Sequence, residues 1–208
     1  MARNIGPSCR LCRRSGEKLM LKGDRCFTPK CAVERRPRGP GKAAGTRRRS
    51  SDRGNQLREK QKARYTYEVM ERQFRRFFAM AQKNPGATDT MLLVLLERRL
   101  DNVVYRLGFA DSRSQARQLV THGHIMLGGK VTNIPSALVK TGDSVSWKGS
   151  SVKSEYYKMM TERIESKVLP NWLSLDKQNM VGQVISLPAA AEVDVKFSGK
   201  SIIEYYSR

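Results

Sequence analysis

The sequence of 208 residues has no long hydrophobic run, and it contains only two histidines and four cysteines. Its longest aliphatic stretch, Met91–Leu96, is far shorter than the roughly 18 apolar residues that indicate a membrane-spanning helix. The N-terminal residues are basic but no apolar segment follows them, so we expect no export signal and no membrane partner. Histidine occurs only as His122 and His124, without the i, i+4 spacing of a metalloprotease helix.

Acidic residues are also scarce. The chain has 19 Asp and Glu against 40 Lys and Arg, which gives a net charge of +21 and a pI near 10.3. Residues 1–64 alone carry 20 basic and 5 acidic side chains. Such an imbalance predicts a polyanionic partner, either nucleic acid or an anionic membrane surface, and places most of the attraction in the N-terminal third of the chain.

Aromatic residues make up only 7% of the chain, and most of them recur at spacings typical of a core. A phosphate-binding loop is absent, because Gly129-Lys130 lacks the upstream glycine and is followed by valine. We therefore expect recognition of RNA shape through phosphates and 2′-hydroxyl groups, with little base stacking and no catalysis.

All four cysteines lie within residues 9–31, as C-x2-C followed by C-x4-C. Two close thiol pairs in an intracellular, reducing setting predict a structural zinc site with four protein ligands. The predicted ligands are Cys9, Cys12, Cys26 and Cys31. An iron–sulfur cluster on the same four residues is the main alternative, and disulfides or free thiols are the others. Flanking arginines are expected to favour the thiolate form.

A few apolar residues are expected to help the metal hold this knuckle together. They are Leu11, Leu19, Leu21 and Phe27. Residues 35–54 follow with Gly, Pro, Ser and Arg but almost nothing to bury, which predicts an extended basic arm that becomes ordered against a partner.

From Asn55 onward the pattern is helical. Residues 55–64 are strongly basic and predict a helix only if the charged face meets acidic groups. A clearer helix begins at Glu71 and ends at Asn84-Pro85-Gly86, with apolar residues at i, i+3, i+4 and i+7. These are Phe74, Phe77, Phe78 and Ala81. One long helix is expected from Thr88 or Thr90 to Leu107, with Gly108 as its stop.

Ser112 and Gln115 have the spacing of a capping box and predict a shorter helix, on which Arg113 and Arg117 are expected to face outward. After Gly123 the hydrophobic period changes to two, which predicts a hairpin across Gly128-Gly129 and a strand at residues 144–147. Residues 151–166 read as a helix and 183–187 as a strand. Residues 201–206 fit a helix or a strand.

The stretch ERRLDNVVYRLGFADSRSQARQLVTHGHIMLGGKVTNIPS resembles the RNA-binding module of small-subunit ribosomal protein four. That module also occurs in pseudouridine synthases and tyrosyl-tRNA synthetases. The segments IGPSCRLCRRSG, LREKQKAR, ERQF and IIEYYSR resemble the bacterial ribosomal family itself, so the likeness covers nearly the whole chain.

This resemblance implies an α+β fold: a mostly helical domain with an N-terminal four-cysteine metal knuckle, and an inserted RNA-binding domain of three helices on a small antiparallel sheet. The expected division is a knuckle and basic arm at 1–50, a helical domain at 51–94 plus about 195–208, and the RNA-binding domain at 95–194.

The resemblance also implies a role as a structural constituent of the small ribosomal subunit in the bacterial cytoplasm. Family members bind a multi-helix junction in the 5′ domain of small-subunit ribosomal RNA early in assembly. They lie beside ribosomal protein five near the channel by which mRNA enters, contribute to translational accuracy, and are monomeric when free. Some also repress translation of their own operon.

The charge distribution and the resemblance together predict which basic residues contact RNA. They are Arg10, Arg13, Arg14, Arg35, Arg36, Arg47, Arg48, Arg49, Arg53, Arg58, Lys60, Lys62, Arg113 and Arg117. Two functions from other classes are the alternatives. An RNA-modifying enzyme would need a catalytic domain where the chain has a basic arm. A regulator that binds mRNA away from the ribosome would not cosediment with the small subunit.

Overall fold

The structure is a computed structural model that describes residues 4–41, 51–164, 167–193 and 195–207. It divides into two compact units, Met1–Leu93 with Val195–Arg208 and Val94–Asp194. Within the described ranges, no helix is both long and apolar enough to cross a membrane.

The first unit is helical. Its elements are α1 (Ser8–Ser15), a 3-10 helix (Gly23–Phe27), α2 (Ala32–Arg35), α3 (Asp52–Thr66), α4 (Glu71–Lys83), the first part of α5 (Thr88–Glu97) and the C-terminal α9 (Gly199–Tyr206). The predicted α4 is confirmed with its expected bounds, and Phe74, Phe77, Phe78 and Ala81 are all buried. The C-terminal segment is a helix, and it packs against α3 and α4: Tyr206 lies 4.5 Å from Phe78 between ring centroids.

The basic α3 forms because its cations meet acidic groups of the same unit. Ser51 caps its first turn by accepting a hydrogen bond from the Gly54 amide. Further along, buried Lys60 and Lys62 pair with Glu71 and with Glu17, respectively. The sequence predicts a helix here only if the charged face meets acidic groups, and carboxylates of the same unit provide them.

The second unit packs helices on a five-stranded antiparallel sheet in the order β2-β1-β3-β5-β4. Its helices are α6 (Leu100–Arg106), α7 (Arg113–Thr121) and α8 (Glu155–Arg163). Its strands are β1 (Ile125–Leu127), β2 (Lys130–Val131), β3 (Ser144–Trp147), β4 (Leu173–Asp176) and β5 (Val181–Val184). The predicted hairpin is confirmed, with Met126 opposite Val131.

The single helix expected from residue 88 to residue 107 is wrong. The chain leaves helical geometry at Arg99, where φ is −66° and ψ is 136°. There Arg99 pairs with Leu138 in a β-bridge, and the Leu100 amide donates to the Ala137 carbonyl at 2.8 Å. Backbone partners from a distant loop thus replace the i, i−4 bonds of a continuous helix. Gly108, with φ of 83°, ends α6 as expected.

The sheet also differs from the expected strand positions. β5 spans Val181–Val184 rather than residues 183–187, and just beyond it the Ile185 amide still donates to the carbonyl of Trp172, the residue opposite it. β4 was not expected from the sequence: only Leu173 and Leu175 carry its apolar alternation. The core of this unit is built around Leu100, Val104, Phe109, Ile125 and Trp172.

Candidate nucleic-acid interface and metal centre

The four cysteines lie around one small cavity in the first unit. The i, i+3 spacing on α1 places Cys9 and Cys12 on one side of that helix, Cys26 lies in the 3-10 helix, and Cys31 directly precedes α2. All four line a cavity of about 20 Å³, which is large enough for one water-sized particle. No disulfide joins any of them.

The thiols influence one another electrostatically. Burial raises the pKa of Cys12, and the nearby negative charges of Cys26, Cys9 and Cys31 raise it further, although a hydrogen bond with the Leu19 backbone opposes this. In the metal-free chain, burial and the neighbouring thiolates thus disfavour the thiolate form of Cys12, which runs against the expected effect of the flanking arginines.

The four thiols are not arranged as a complete set of metal ligands. Among the described residues, no group of three or more His, Cys, Asp or Glu side chains is arranged to hold a metal ion. The donor chemistry nevertheless fits a small thiophilic cation, because all four cysteines are among the residues that line the one cavity.

Three of the four expected apolar residues, Leu11, Leu19 and Leu21, help to hold the knuckle. Leu19 and Leu21 are buried together with Cys12, and Leu11, Val33 and Tyr65 pack against them. Phe27 does not take part, since 74% of its surface is exposed. The expectation that Phe27 stabilises the knuckle is therefore wrong.

The predicted RNA-contact residues of the knuckle are mostly exposed. Arg10 and Arg14 extend from α1, and Arg35 and Arg36 lie at the end of α2. Arg13 has a different position: its Nε donates to the carbonyls of Arg36 and Arg38 at 2.9 and 3.0 Å. It thereby holds the end of α2 against α1, so that the four exposed arginines belong to one small folded segment.

The predicted residues on α3 fall into two groups. Arg53 and Arg58 are exposed. Lys60 is buried, with its Nζ 2.9 Å from Glu71 Oε1 and 4.7 Å from the ring centroid of Tyr205. Lys60 and the neighbouring buried Lys62 therefore stabilise the packing of the unit and do not form part of an exposed cationic surface.

Lys62 is held by two carboxylates, Glu17 at 2.7 Å and Glu59 at 2.8 Å. Burial acts to lower its pKa, but the hydrogen bonds that Lys62 donates to both carboxylates outweigh burial, and the net effect raises the pKa of Lys62. This ion pair joins the knuckle, through Glu17, to α3.

The expectation that Arg113 and Arg117 share an outward face is wrong for Arg117. Its side chain is buried, and its Nη1 lies 3.4 Å from the carboxylate of Asp101. Arg99 binds the same carboxylate at 2.6 Å. Arg113 is half-buried. Its Nε donates to Asn102 Oδ1 at 2.7 Å, and its guanidinium lies 4.6 Å from the ring centroid of Tyr105.

The predicted residues Arg47, Arg48 and Arg49 lie outside the described residues. Conversely, exposed arginines on α4 were not predicted: Arg72, Arg75 and Arg76 lie opposite the buried phenylalanines. The helical spacing that predicts the apolar face of α4 also predicts this basic face. Of the two histidines, His124 has its Nδ1 2.9 Å from Ser151 Oγ.

Known families match both halves of this arrangement. Residues 3–97 match the family described as ribosomal protein S4/S9 N-terminal domain, and residues 98–145 match the S4 domain. The small ribosomal subunit protein uS4 of Dehalococcoides mccartyi (strain CBDB1) is 53% identical over 208 residues, covering all of both chains. The uS4 of Halothermothrix orenii is 50% identical over the same span. The chain belongs to the uS4 family.

Membership of the uS4 family confirms the resemblance seen in the sequence. This uS4 family member is a structural constituent of the small ribosomal subunit, in a family that binds ribosomal RNA, and it is not an enzyme. The mixed fold of helices and a small antiparallel sheet around an S4 domain is likewise as expected.

Proposed function

We propose that the chain binds a multi-helix junction in the 5′ domain of small-subunit ribosomal RNA directly and early in assembly. The observation that carries this proposal is the group of exposed guanidinium groups at Arg10, Arg14, Arg35 and Arg36 on a compact knuckle. Arginine binds phosphate oxygens in bidentate geometry, and several such groups on one short folded segment suit a junction where backbones converge.

The division of roles between the two kinds of basic residue supports the same proposal. Lys60 and Lys62 are neutralised internally, so the exposed arginines carry the attraction to RNA. In this scheme residues 1–50 form the knuckle and arm, residues 51–94 with 195–208 support them, and residues 95–194 present Arg113 to a second RNA segment.

This proposal is tested by measuring the affinity of the full chain for a transcript of the 5′ domain. Wild type should bind the transcript more tightly than a plain RNA duplex at the same salt concentration. R10Q/R14Q should weaken binding to both. Equal affinity of wild type for the two RNAs would contradict junction recognition.

We also propose that Cys9, Cys12, Cys26 and Cys31 hold a Zn²⁺ ion, which would lower the thiol pKa values and fix the knuckle. All four cysteines line one cavity, and a set of four thiolates suits a single tetrahedral Zn²⁺ ion. Metal analysis and native mass spectrometry of the full chain should find one zinc per chain. Iron and inorganic sulfide would indicate the cluster.

Cys26→Ser tests the zinc site without removing a basic residue. The variant should lose the ion and unfold residues 9–31, because their few buried apolar side chains do not offset the ordering entropy alone. Preference for the 5′-domain transcript over the duplex should then fall by about 5- to 150-fold, while non-specific binding keeps its salt dependence. Equal loss on both RNAs, or no loss, would contradict a metal-fixed platform.

The finer family roles belong to the same proposal. They are a place in the cytoplasmic small subunit beside ribosomal protein five, near the channel by which mRNA enters, with an effect on translational accuracy. Repression of the chain's own operon is a second RNA-binding role that the same surface would support. Cosedimentation of the chain with the small subunit separates the ribosomal role from a free regulator.

A further inference from the structure

Phe27 is the one exposed residue among the Phe, Tyr and Trp side chains. Every other Phe, Tyr and Trp is buried or half-buried, and all of them lie in the described ranges. Phe27 exposes 74% of its surface, whereas its neighbour Cys26 exposes 8% and faces the cysteine cavity. Adjacent residues of one short turn thus point in opposite directions, one inward and one outward.

The backbone on both sides of Phe27 is fixed by hydrogen bonds. Thr28 Oγ1 and the Thr28 amide both donate to the Arg25 carbonyl, at 3.0 and 3.4 Å. The Cys31 amide donates to the Thr28 carbonyl at 3.0 Å, and the Lys22 amide to Cys26 Sγ at 3.4 Å. An aromatic ring with two rotatable bonds on a fixed turn loses little entropy when it contacts a ligand.

The surroundings of the ring are cationic. Lys22, Arg25 and Lys30 are exposed within five residues of Phe27, and Asp24 is the single acidic residue between Lys22 and Lys30. A flat apolar ring among cations complements a flat base on a phosphate backbone. It complements an apolar protein pocket or a neutral surface less well, because the flanking charges would be desolvated without compensation.

We propose that Phe27 stacks on an unpaired nucleobase of RNA, so that the knuckle contacts a base as well as phosphates. This inference rests on the RNA binding proposed above and adds a base contact to it. Stacking on one base typically contributes about 1–3 kcal/mol, which is about 5- to 150-fold in affinity. It adds no ionic contact, so the dependence on salt should not change.

The test uses the full chain, a 5′-domain transcript and a plain RNA duplex. F27A should weaken binding to the transcript by about 5- to 150-fold with an unchanged salt slope, and should leave duplex binding unaltered. F27Y and F27W should bind the transcript like wild type because they keep a ring. F27L should resemble F27A because it keeps apolar bulk but has no face for stacking.

F27W also gives a direct signal. The native Trp147 and Trp172 expose only 5% and 2% of their surface, so the introduced indole should dominate any change in tryptophan fluorescence on binding. Stacking should quench it on the transcript and not on the duplex. I5A is the matched control, since Ile5 is an exposed apolar residue of the same segment, and it should bind both RNAs like wild type.

Three outcomes overturn the inference while leaving the proposed function standing. They are wild-type affinity of F27A, in which case the ring serves a protein contact; wild-type affinity of F27L; and unquenched F27W in a bound complex. If wild type itself shows no preference for the transcript, the proposed function and this inference both fail. Thermal melting of each variant shows that it is folded.

Discussion

Glu71 is the point at which the side chains of three helices meet. Its carboxylate accepts hydrogen bonds from Lys60 at 2.9 Å, Arg64 at 3.1 Å and the Tyr206 hydroxyl at 2.9 Å. Burial acts to raise the pKa of Glu71, but the hydrogen bonds from Lys60 and Tyr206 and the nearby cations outweigh it and lower the pKa. Burial and the hydrogen bond to Glu71 together raise the pKa of Tyr206.

Glu71→Gln should therefore destabilise the first unit. The change leaves the nearly buried ammonium of Lys60 without its carboxylate, and we expect a loss of about 1–3 kcal/mol in the free energy of unfolding, since Glu71 is itself about one-third exposed. Denaturant unfolding at neutral pH measures it. E34Q is the control, because Glu34 pairs with Lys18 at the surface, and it should cause no measurable change.

The pH dependence gives a second check on Glu71. A carboxyl whose pKa is lower in the folded state stabilises it fully above the unfolded pKa, here 4.5, and loses that contribution as the pH falls through the folded value. The difference in stability between wild type and E71Q should thus be constant at neutral pH and shrink below pH 4.5. A difference that grows in acid would contradict the assignment.

Arg113 and Arg117 should have opposite phenotypes. R117Q removes a buried guanidinium from Asp101 and should cost about 1–3 kcal/mol of stability, with the salt slope of RNA binding unchanged in the folded variant. R113Q should reduce that slope by about one, as the loss of one phosphate contact does. Titrations at several salt concentrations and a denaturant melt separate the two. A reduced slope in R117Q would show that Arg117 reaches RNA.

At the scale of elements, the features that depend only on residues close in sequence could be predicted from the sequence. The bounds of α4, the capping box of α7 and the Gly128-Gly129 hairpin each depend on neighbours in sequence. The break at Arg99 could not be predicted, because the groups that bond residues 100 and 101 belong to residues 135–138. β4 depends in the same way on pairing with β5.

The candidate site shows the same limit. Charge and cysteine spacing predict the knuckle and its RNA-contacting arginines, whereas the burial of Lys60, Lys62 and Arg117 depends on carboxylates up to 45 residues away. The sequence predicts burial of Phe27 because the residue is apolar and directly follows Cys26. Only the turn geometry around Thr28 shows that the ring faces outward.

Gly182 fixes how closely β5 approaches α6. A Cβ on Gly182 would lie 2.4 Å from Leu107 Cδ1 and 2.6 Å from Cδ2, and Leu107 is fully buried. Gly182→Ala should therefore force the leucine to another rotamer in a packed core, with a loss of about 1–3 kcal/mol in the free energy of unfolding. G149A is the control: its Cβ would have open space, so a similar loss there would contradict the steric explanation.

At the scale of the whole molecule, net charge and binding charge are different quantities. The chain carries +21, yet several cations are neutralised by internal carboxylates, as Lys60, Lys62 and Arg106 are. The exposed arginines on α1, α2 and the start of α3 keep their charge for a partner. Affinity for RNA should thus depend on where charge lies, more than on how much of it there is.

A pair of double variants with the same net charge tests this distinction. R10Q/R14Q and K148Q/K153Q each remove two exposed cations, the first from the knuckle and the second from the unit that contains the S4 domain. If about six to ten phosphates are contacted, log affinity of wild type should fall with log salt with a slope of about −4 to −9. R10Q/R14Q should reduce the magnitude of that slope by about two, because each arginine accounts for about one phosphate contact, and K148Q/K153Q should leave it unchanged. Equal reductions in both variants would mean that total charge governs binding, and the assignment of the knuckle as the RNA-contacting surface would be wrong.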